Sequence, residues 1–187
     1  MRPQLFTLAN QLTLLRLALI PFFVLATRGQ QHTMALGLFV ATVVSDGLDG
    51  LLARVLNQRT PLGAYLDPIA DKLLLSTAFV LLAFQNAMDW RLTILVLGRD
   101  VLILTIAGVI ILATGFRPFP PSIYGKACTV AESATVLAVL LGLAFPRGWL
   151  VTAKTFLFWL TAALVVTSGL HYAYRIGKML PELPSKS

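Results

Sequence analysis

Four aspartates hold most of the chemistry available to this chain. They fall in one window, Asp46-Gly-Leu-Asp49-Gly50-Leu-Leu-Ala53-Arg54, then eight residues, then Gly63-Ala-Tyr-Leu-Asp67-Pro-Ile-Ala-Asp71. At about 100° per residue, spacings of three and four place each pair on one face of a helix. A short polar turn separates the pairs, so their helices are expected to be antiparallel neighbours with both pairs at one depth. About four negative charges brought together would repel one another strongly. A bound divalent cation relieves that repulsion. Carboxylate oxygens are hard donors suited to Mg²⁺ or Mn²⁺, and Mg²⁺ commonly binds a few carboxylates together with substrate phosphates. The window has no Cys or His, which argues against zinc. A phosphate-bearing substrate is therefore the expected partner.

The small residues fit the same picture. Gly50 and Ala53 follow Asp49 and leave room for a ligand against the backbone, and Gly63 does likewise at the next helix entrance; close helix packing through small residues is the alternative reading. Arg54 is expected to bind phosphate or to pair with an acid, with snorkelling to the interface as the alternative.

The elements that must position these residues are spans. Of 187 residues, 57% are hydrophobic and only 12% are charged, whereas soluble domains carry roughly 25% charged residues. The apolar residues form long runs without the alternation of a β-barrel. A helix needs about 20 of them to cross the hydrocarbon layer, and a non-barrel spanning chain must be helical to satisfy its backbone there. Turn and charge signals divide the chain into six expected spans, 11–27, 33–56, 66–86, 91–114, 123–145 and 149–174. The expectation is an all-α integral membrane protein, a six-helix transmembrane bundle in a single domain over 1–187. A short interfacial helix is expected over Pro3 to Asn10. Trp90 and Trp149 suit an interfacial belt, and basic residues number eight on the side of the termini against four on the other, favouring cytoplasmic termini.

Other classes are disfavoured. The net charge of +7 is scattered without a long basic run, so it points to anionic lipid headgroups and away from nucleic acid. Cys128 is the single cysteine, which excludes an intrachain disulfide, and a small buried side chain is expected there. Arg16 interrupts the first apolar run, against a cleaved signal peptide. Of eight acids, six lie in apolar runs, where each costs roughly 2.5–3.5 kcal/mol at mid-helix, so functional or mutually paired sites are expected.

The spacing D-x2-D-G-x2-A-R-x8-G-x3-D-x3-D is met in full by Asp46, Asp49, Gly50, Ala53, Arg54, Gly63, Asp67 and Asp71, and it resembles the CDP-alcohol phosphotransferase signature. Asn10-Gln-Leu-Thr13-Leu-Leu-Arg16 and Ile20-Pro21 are similar to the first span of bacterial phosphatidyltransferases. The resemblance implies a homodimeric six-helix enzyme of the bacterial inner membrane. Its polar cavity, near the cytoplasmic surface, would hold one or two Mg²⁺ or Mn²⁺ ions and the headgroup of CDP-diacylglycerol. It implies that Asp46, Asp49 and Asp67 bind metal, that Asp71 is the general base and also touches metal, and that Gly50, Ala53, Arg54 and Gly63 cradle the cytidine nucleotide.

Acceptor choice is expected to lie with the remaining intramembrane charges. Arg99 and Lys126 sit where the resemblance places cationic contacts to an anionic acceptor, either glycerol 3-phosphate or phosphatidylglycerol. Arg16, on the face of Asn10 and Thr13, is a further candidate to line the cavity and meet phosphate. Arg99 and Asp100, being adjacent, are expected to point apart on their helix, with a structural pair elsewhere in the bundle as the alternative role for either; an interfacial anchor is the alternative for Lys126, and Glu132 is expected to be a buried structural partner. His32 is expected in a loop, and His171 and Tyr172 in packing or interfacial roles. The rivals are an intramembrane prenyltransferase, whose aspartate spacing differs, and a cation transporter, whose acids would line a pathway instead of clustering.

Overall fold

A computed structural model describes residues 8–55, 61–114 and 123–179, with side chains described over 13–47, 69–105 and 124–172. The elements are α1 (Leu8–Arg28), α2 (His32–Val55), α3 (Pro61–Phe84), α4 (Trp90–Thr114), α5 (Ile123–Ala144) and α6 (Gly148–Met179), and no strand occurs among the described residues. Each of the six expected spans corresponds to one helix. The shortest, α1, has 21 residues, which at 1.5 Å per residue reaches about 30 Å, a hydrocarbon thickness.

The local signals explain the boundaries. Helices α1 and α3 end in the same way. Gln31 N donates to Ala26 O (2.9 Å) and Gln30 N to Thr27 O (3.0 Å), with Gln30 at φ 55°. Ala87 N donates to Leu82 O (2.9 Å) and Asn86 N to Ala83 O (3.0 Å), with Asn86 at φ 57°. Both are Schellman closures, which satisfy the last carbonyls through one left-handed residue. Asn tolerates that conformation better than Gln does. The turn after α1 is so tight that His32 opens α2, where a loop was expected. Pro61 is the first residue of α3, a position that needs no N–H and suits the fixed φ of proline. This moves the start of α3 five residues ahead of the expected one. Asp89 caps α4, its Oδ1 accepting from Arg91 N at 2.7 Å. The interfacial helix expected at Pro3 to Asn10 lies outside the described residues up to residue 7, and Leu8 to Asn10 belong to α1 itself.

The chain divides into two compact units, 1–88 with 136–151 and 89–135 with 152–187. In the first, α1 packs on both α2 and α3. Arg16 meets Asp46 and Phe23 meets Phe39, so seven residues forward on α1 (23 − 16) match seven back on α2 (46 − 39), an antiparallel register. Arg16 also meets Asp71, and the Gln85 amide donates to the Thr27 carbonyl, so α3 runs parallel to α1. Phe23, Phe39, Phe79 and Leu82 fill this unit, and Ala35, Ala70 and Ala78 are buried beside them; small side chains of this kind let backbones approach closely.

In the second unit Leu92, Val96, Ala131 and Val165 are buried. Here α5 and α6 are linked by the Thr135 and Thr161 hydroxyls at 2.8 Å, both buried. Thr135 Oγ1 also lies 2.8 Å from Ala131 O, and either hydroxyl can supply the proton between the helices.

Among the described residues, two helical stretches have the length and hydropathy to cross a membrane, Tyr124–Ala144 and Gly148–Tyr172. Only 17% of the second one's apolar window is buried. Phe156, Trp159 and Leu170 on it are each about two-thirds exposed, so this helix needs a non-aqueous neighbour along most of its circumference. Trp90 and Trp149 are exposed in the first turns of α4 and α6.

Candidate active site

The aspartate window maps onto the facing ends of two helices, with α2 carrying Asp46 and Asp49 and α3 carrying Asp67 and Asp71. Of the site residues expected from sequence, Asp46, Asp71, Arg16, Arg99 and Lys126 have described side chains. Asp49, Gly50, Ala53, Arg54, Gly63 and Asp67 lie outside the described side chains.

Asp46 and Asp71 are brought together by a residue from a third helix. Arg16 Nη2 lies 2.8 Å from Asp46 Oδ1, and Arg16 Nη1 donates to Asp71 Oδ1 at 2.6 Å. The two carboxylates are therefore no farther apart than the width of one guanidinium and two charge-assisted hydrogen bonds. The Arg16 side chain is 0% exposed, whereas those of Asp46 and Asp71 are 46% and 32% exposed. The cation enters from the protein side and the acids keep an open side. Beside Asp46, a Cβ added at Gly47 would meet nothing within 4 Å.

This donor chemistry fits a hard divalent cation. Two carboxylates from different helices converge, and a positive charge already lies between them. Among the described residues no group of three or more candidate ligands forms; two of the four aspartates are within that set. Arg16, expected to meet phosphate, instead pairs with the acids, a partnership that its place on α1 does not announce. The antiparallel register that pairs 16 with 46 could have shown it, once the turn between α1 and α2 was known to be three residues long.

The second unit holds the other expected contacts. Arg99 is 9% exposed; its Nη1 donates to Asp100 Oδ1 at 2.7 Å and its Nη2 to Ser168 Oγ at 3.0 Å. The expectation that Arg99 and Asp100 point apart is thus corrected. Their Cα–Cβ directions diverge along α4, but the long arginine side chain folds back to its neighbour, since a buried guanidinium needs a counter-charge. Lys126 is exposed on α5. Glu132 is fully buried and accepts from Cys128 Sγ at 3.1 Å, an i to i+4 contact that joins the two residues expected to be buried. His171 packs its ring on Tyr124, with centroids 4.9 Å apart.

The described residues are all helical, two of the helices are long and apolar enough to cross a membrane, and charges are paired between helices of the first unit. Comparison with known proteins gives the class its name. The model of the CDP-alcohol phosphatidyltransferase family matches residues 6–167. A Mycobacterium tuberculosis protein named "Probable phosphatidylglycerophosphate synthase" is 33% identical over 180 residues, which are 93% of this chain and 83% of that one. The CDP-diacylglycerol–glycerol-3-phosphate 3-phosphatidyltransferase of Aquifex aeolicus is 33% identical over 175 residues, 91% of this chain and 96% of that one. The human "Cardiolipin synthase (CMP-forming)" is 36% identical over 99 residues, 52% of this chain and 33% of that one. The chain belongs to the CDP-alcohol phosphatidyltransferase family and is a transferase of phospholipid biosynthesis. Members of this family generally use divalent metal ions.

Proposed function

We propose that this enzyme transfers the phosphatidyl group of CDP-diacylglycerol to a hydroxyl of glycerol 3-phosphate, releasing CMP. The observation that carries the site is the convergence of Asp46 and Asp71 from α2 and α3. The choice of acceptor is supported by the relatives matched over nearly their full length, which carry phosphatidylglycerophosphate synthase or glycerol-3-phosphate transferase names. Likeness to proteins named cardiolipin synthase covers 65% of the Mycobacterium tuberculosis one and 33% of the human one, less than the 83% and 96% of those relatives, and phosphatidylglycerol is the second acceptor to test.

In this reading the acceptor oxygen forms a bond to the β-phosphorus, the bond from that phosphorus to CMP breaks, and the acceptor proton passes to the Asp71 carboxylate and then to water. Asp46, Asp49 and Asp67 hold one or two Mg²⁺ or Mn²⁺ ions, with Asp71 at the edge of that set. When bound, the metal neutralises charge on the pyrophosphate. Gly50, Ala53, Arg54 and Gly63 cradle the cytidine nucleotide. Lys126 is exposed and available to an acceptor phosphate, whereas Arg99 must first give up Ser168 or Asp100. The acyl chains remain in the bilayer.

The architecture that goes with this chemistry is one domain of six spans, homodimeric, in a bacterial plasma membrane, with both termini and the aspartates toward the cytoplasm. Supporting it are the lengths of all six helices, the apolar exposure of α6 and the excess of basic residues on the terminal side.

The deciding assay supplies purified protein with CDP-diacylglycerol, Mg²⁺ or Mn²⁺, and separate acceptors, and measures CMP release with identification of the lipid formed. Phosphatidylglycerophosphate as the product supports the proposal. Cardiolipin formed only with phosphatidylglycerol would replace the acceptor, and metal-dependent ion flux without CMP would overturn the reading in favour of a transporter.

A further inference from the structure

We propose that Arg16 is the resident counter-ion of the acid site: its guanidinium holds Asp46 and Asp71 together when no metal is bound, and it competes with the metal for their charge. The inference rests on the proposed metal role of the aspartates and adds a residue outside the signature window to the machinery that sets metal affinity.

Three observations carry it. First, one guanidinium contacts acids on two different helices, at 2.8 Å to Asp46 and 2.6 Å to Asp71. Planar, fixed donors suit that bridging and a lysine ammonium does not. Second, packing places Arg16 there. The pair Arg16 and Asp46 continues the antiparallel register of Phe23 and Phe39 one heptad along, so the cation is brought to the acids by the helices themselves. Third, exposure is asymmetric. Arg16 is fully enclosed while both carboxylates are partly open, so an incoming ion can reach the acids and meets carboxylates whose charge is already partly compensated.

The consequence is a linkage. A buried guanidinium is costly without its acids, and converging acids are costly without a cation. Arg16 therefore stabilises the metal-free protein and weakens metal binding. Removing its charge should do the reverse on both counts, and a purely structural strut would lower stability without tightening the metal.

The test uses the full chain in detergent or nanodiscs, with Arg16→Gln and Arg16→Lys compared with the wild type. Mn²⁺ affinity is read by calorimetry, and thermal stability is read in EDTA and in saturating Mn²⁺. For Arg16→Gln we expect a lower Tm in EDTA, recovery of most of that loss with Mn²⁺, and Mn²⁺ binding tighter by about tenfold, the effect of removing one nearby unit charge from a partly screened site. Arg16→Lys keeps a charge that can face one carboxylate at a time, so its affinity should fall between the two. Unchanged or weaker Mn²⁺ binding, or an equal loss of Tm with and without Mn²⁺, overturns the proposal. If Arg16→Gln does not fold, Arg16→Lys decides alone: binding tighter than wild type supports the proposal and unchanged or weaker binding overturns it. Asp46→Asn separates the two levels of the argument. Mn²⁺ binding of unchanged affinity in Asp46→Asn removes Asp46 from the metal site and the Arg16 inference with it. Binding lost in Asp46→Asn but not tightened in Arg16→Gln removes the Arg16 inference only.

Discussion

Replacing Asp71 by asparagine isolates the proton-transfer step, because the change removes a negative charge and almost no volume. In the folded protein Asp71 Oδ1 accepts from Arg16 at 2.6 Å, and an asparagine carbonyl can still accept there. The structural loss is the difference between a charge-assisted and a neutral hydrogen bond, on the order of 1 kcal/mol, and less at a side chain 32% exposed. The catalytic loss is larger. A positioned general base contributes roughly 10²–10⁴-fold, which at 1.36 kcal/mol per decade is about 2.7–5.4 kcal/mol of transition-state stabilisation. The two effects separate cleanly by size and by readout. CMP release by Asp71→Asn should fall by roughly two to four orders of magnitude, while binding of CDP-diacylglycerol and the melting temperature stay close to those of the wild type. Turnover within about threefold of wild type would refute the assignment of the proton to Asp71, since even the weakest general base contributes more than that. A fall in turnover matched by loss of nucleotide-lipid binding would instead place Asp71 in substrate binding.

Three further outcomes follow from the geometry. Gln30→Gly should stabilise the protein by roughly 0.5–1 kcal/mol in detergent unfolding, because it relieves a left-handed residue at φ 55° at the cost of some chain entropy; the same change at Asn86 should gain less, and a destabilised Gln30→Gly would contradict the Schellman assignment. Asp89→Ala removes the 2.7 Å cap on Arg91 N and should cost about 1 kcal/mol of stability with CMP release per folded molecule unchanged. Ser168→Ala removes one bond to Arg99 and should cost about 1 kcal/mol, whereas Arg99→Met takes the guanidinium from a 6%-exposed Asp100 and should cost roughly 3–5 kcal/mol. Equal melting temperatures for the last two variants would show that the Arg99–Asp100 pair has little structural weight.

Much of this architecture is legible in the sequence because the apolar runs are long and their punctuation is strong. The expected spans 11–27 and 123–145 lie within three residues of the ends of α1 and α5. The larger misses have local causes. Asn57 to Pro61 reads as a polar break, yet Pro61 is itself the first residue of α3, since a proline that ends one helix is equally suited to open the next. His32 reads as a loop residue because Gly29-Gln-Gln31 precedes it, but a Schellman closure needs only a few residues to turn the chain. Partners are harder than boundaries. Helical periodicity says that Arg16 shares a face with Thr13, and it says nothing of which acid that face will meet. For Arg99 the same periodicity misleads, because it describes where a side chain starts and not where its rotatable bonds carry its end.

The position of Arg16 explains why the aspartate window is not self-sufficient. Asp46 and Asp71 lie on helices joined by a short connection, and that connection alone would bring like charges together. The compensating charge comes from α1, which precedes both helices in the chain and packs against both. Each of the three charges is expensive in an apolar surround, and α2 with α3 alone would set two negative charges together. Assembly of the site is therefore coupled to assembly of the first unit, because both contacts of the guanidinium form only when α1 has packed on both helices. The partial exposure of the two carboxylates then leaves the assembled cluster open on one side, where an incoming cation can exchange the compensation supplied by the protein for its own.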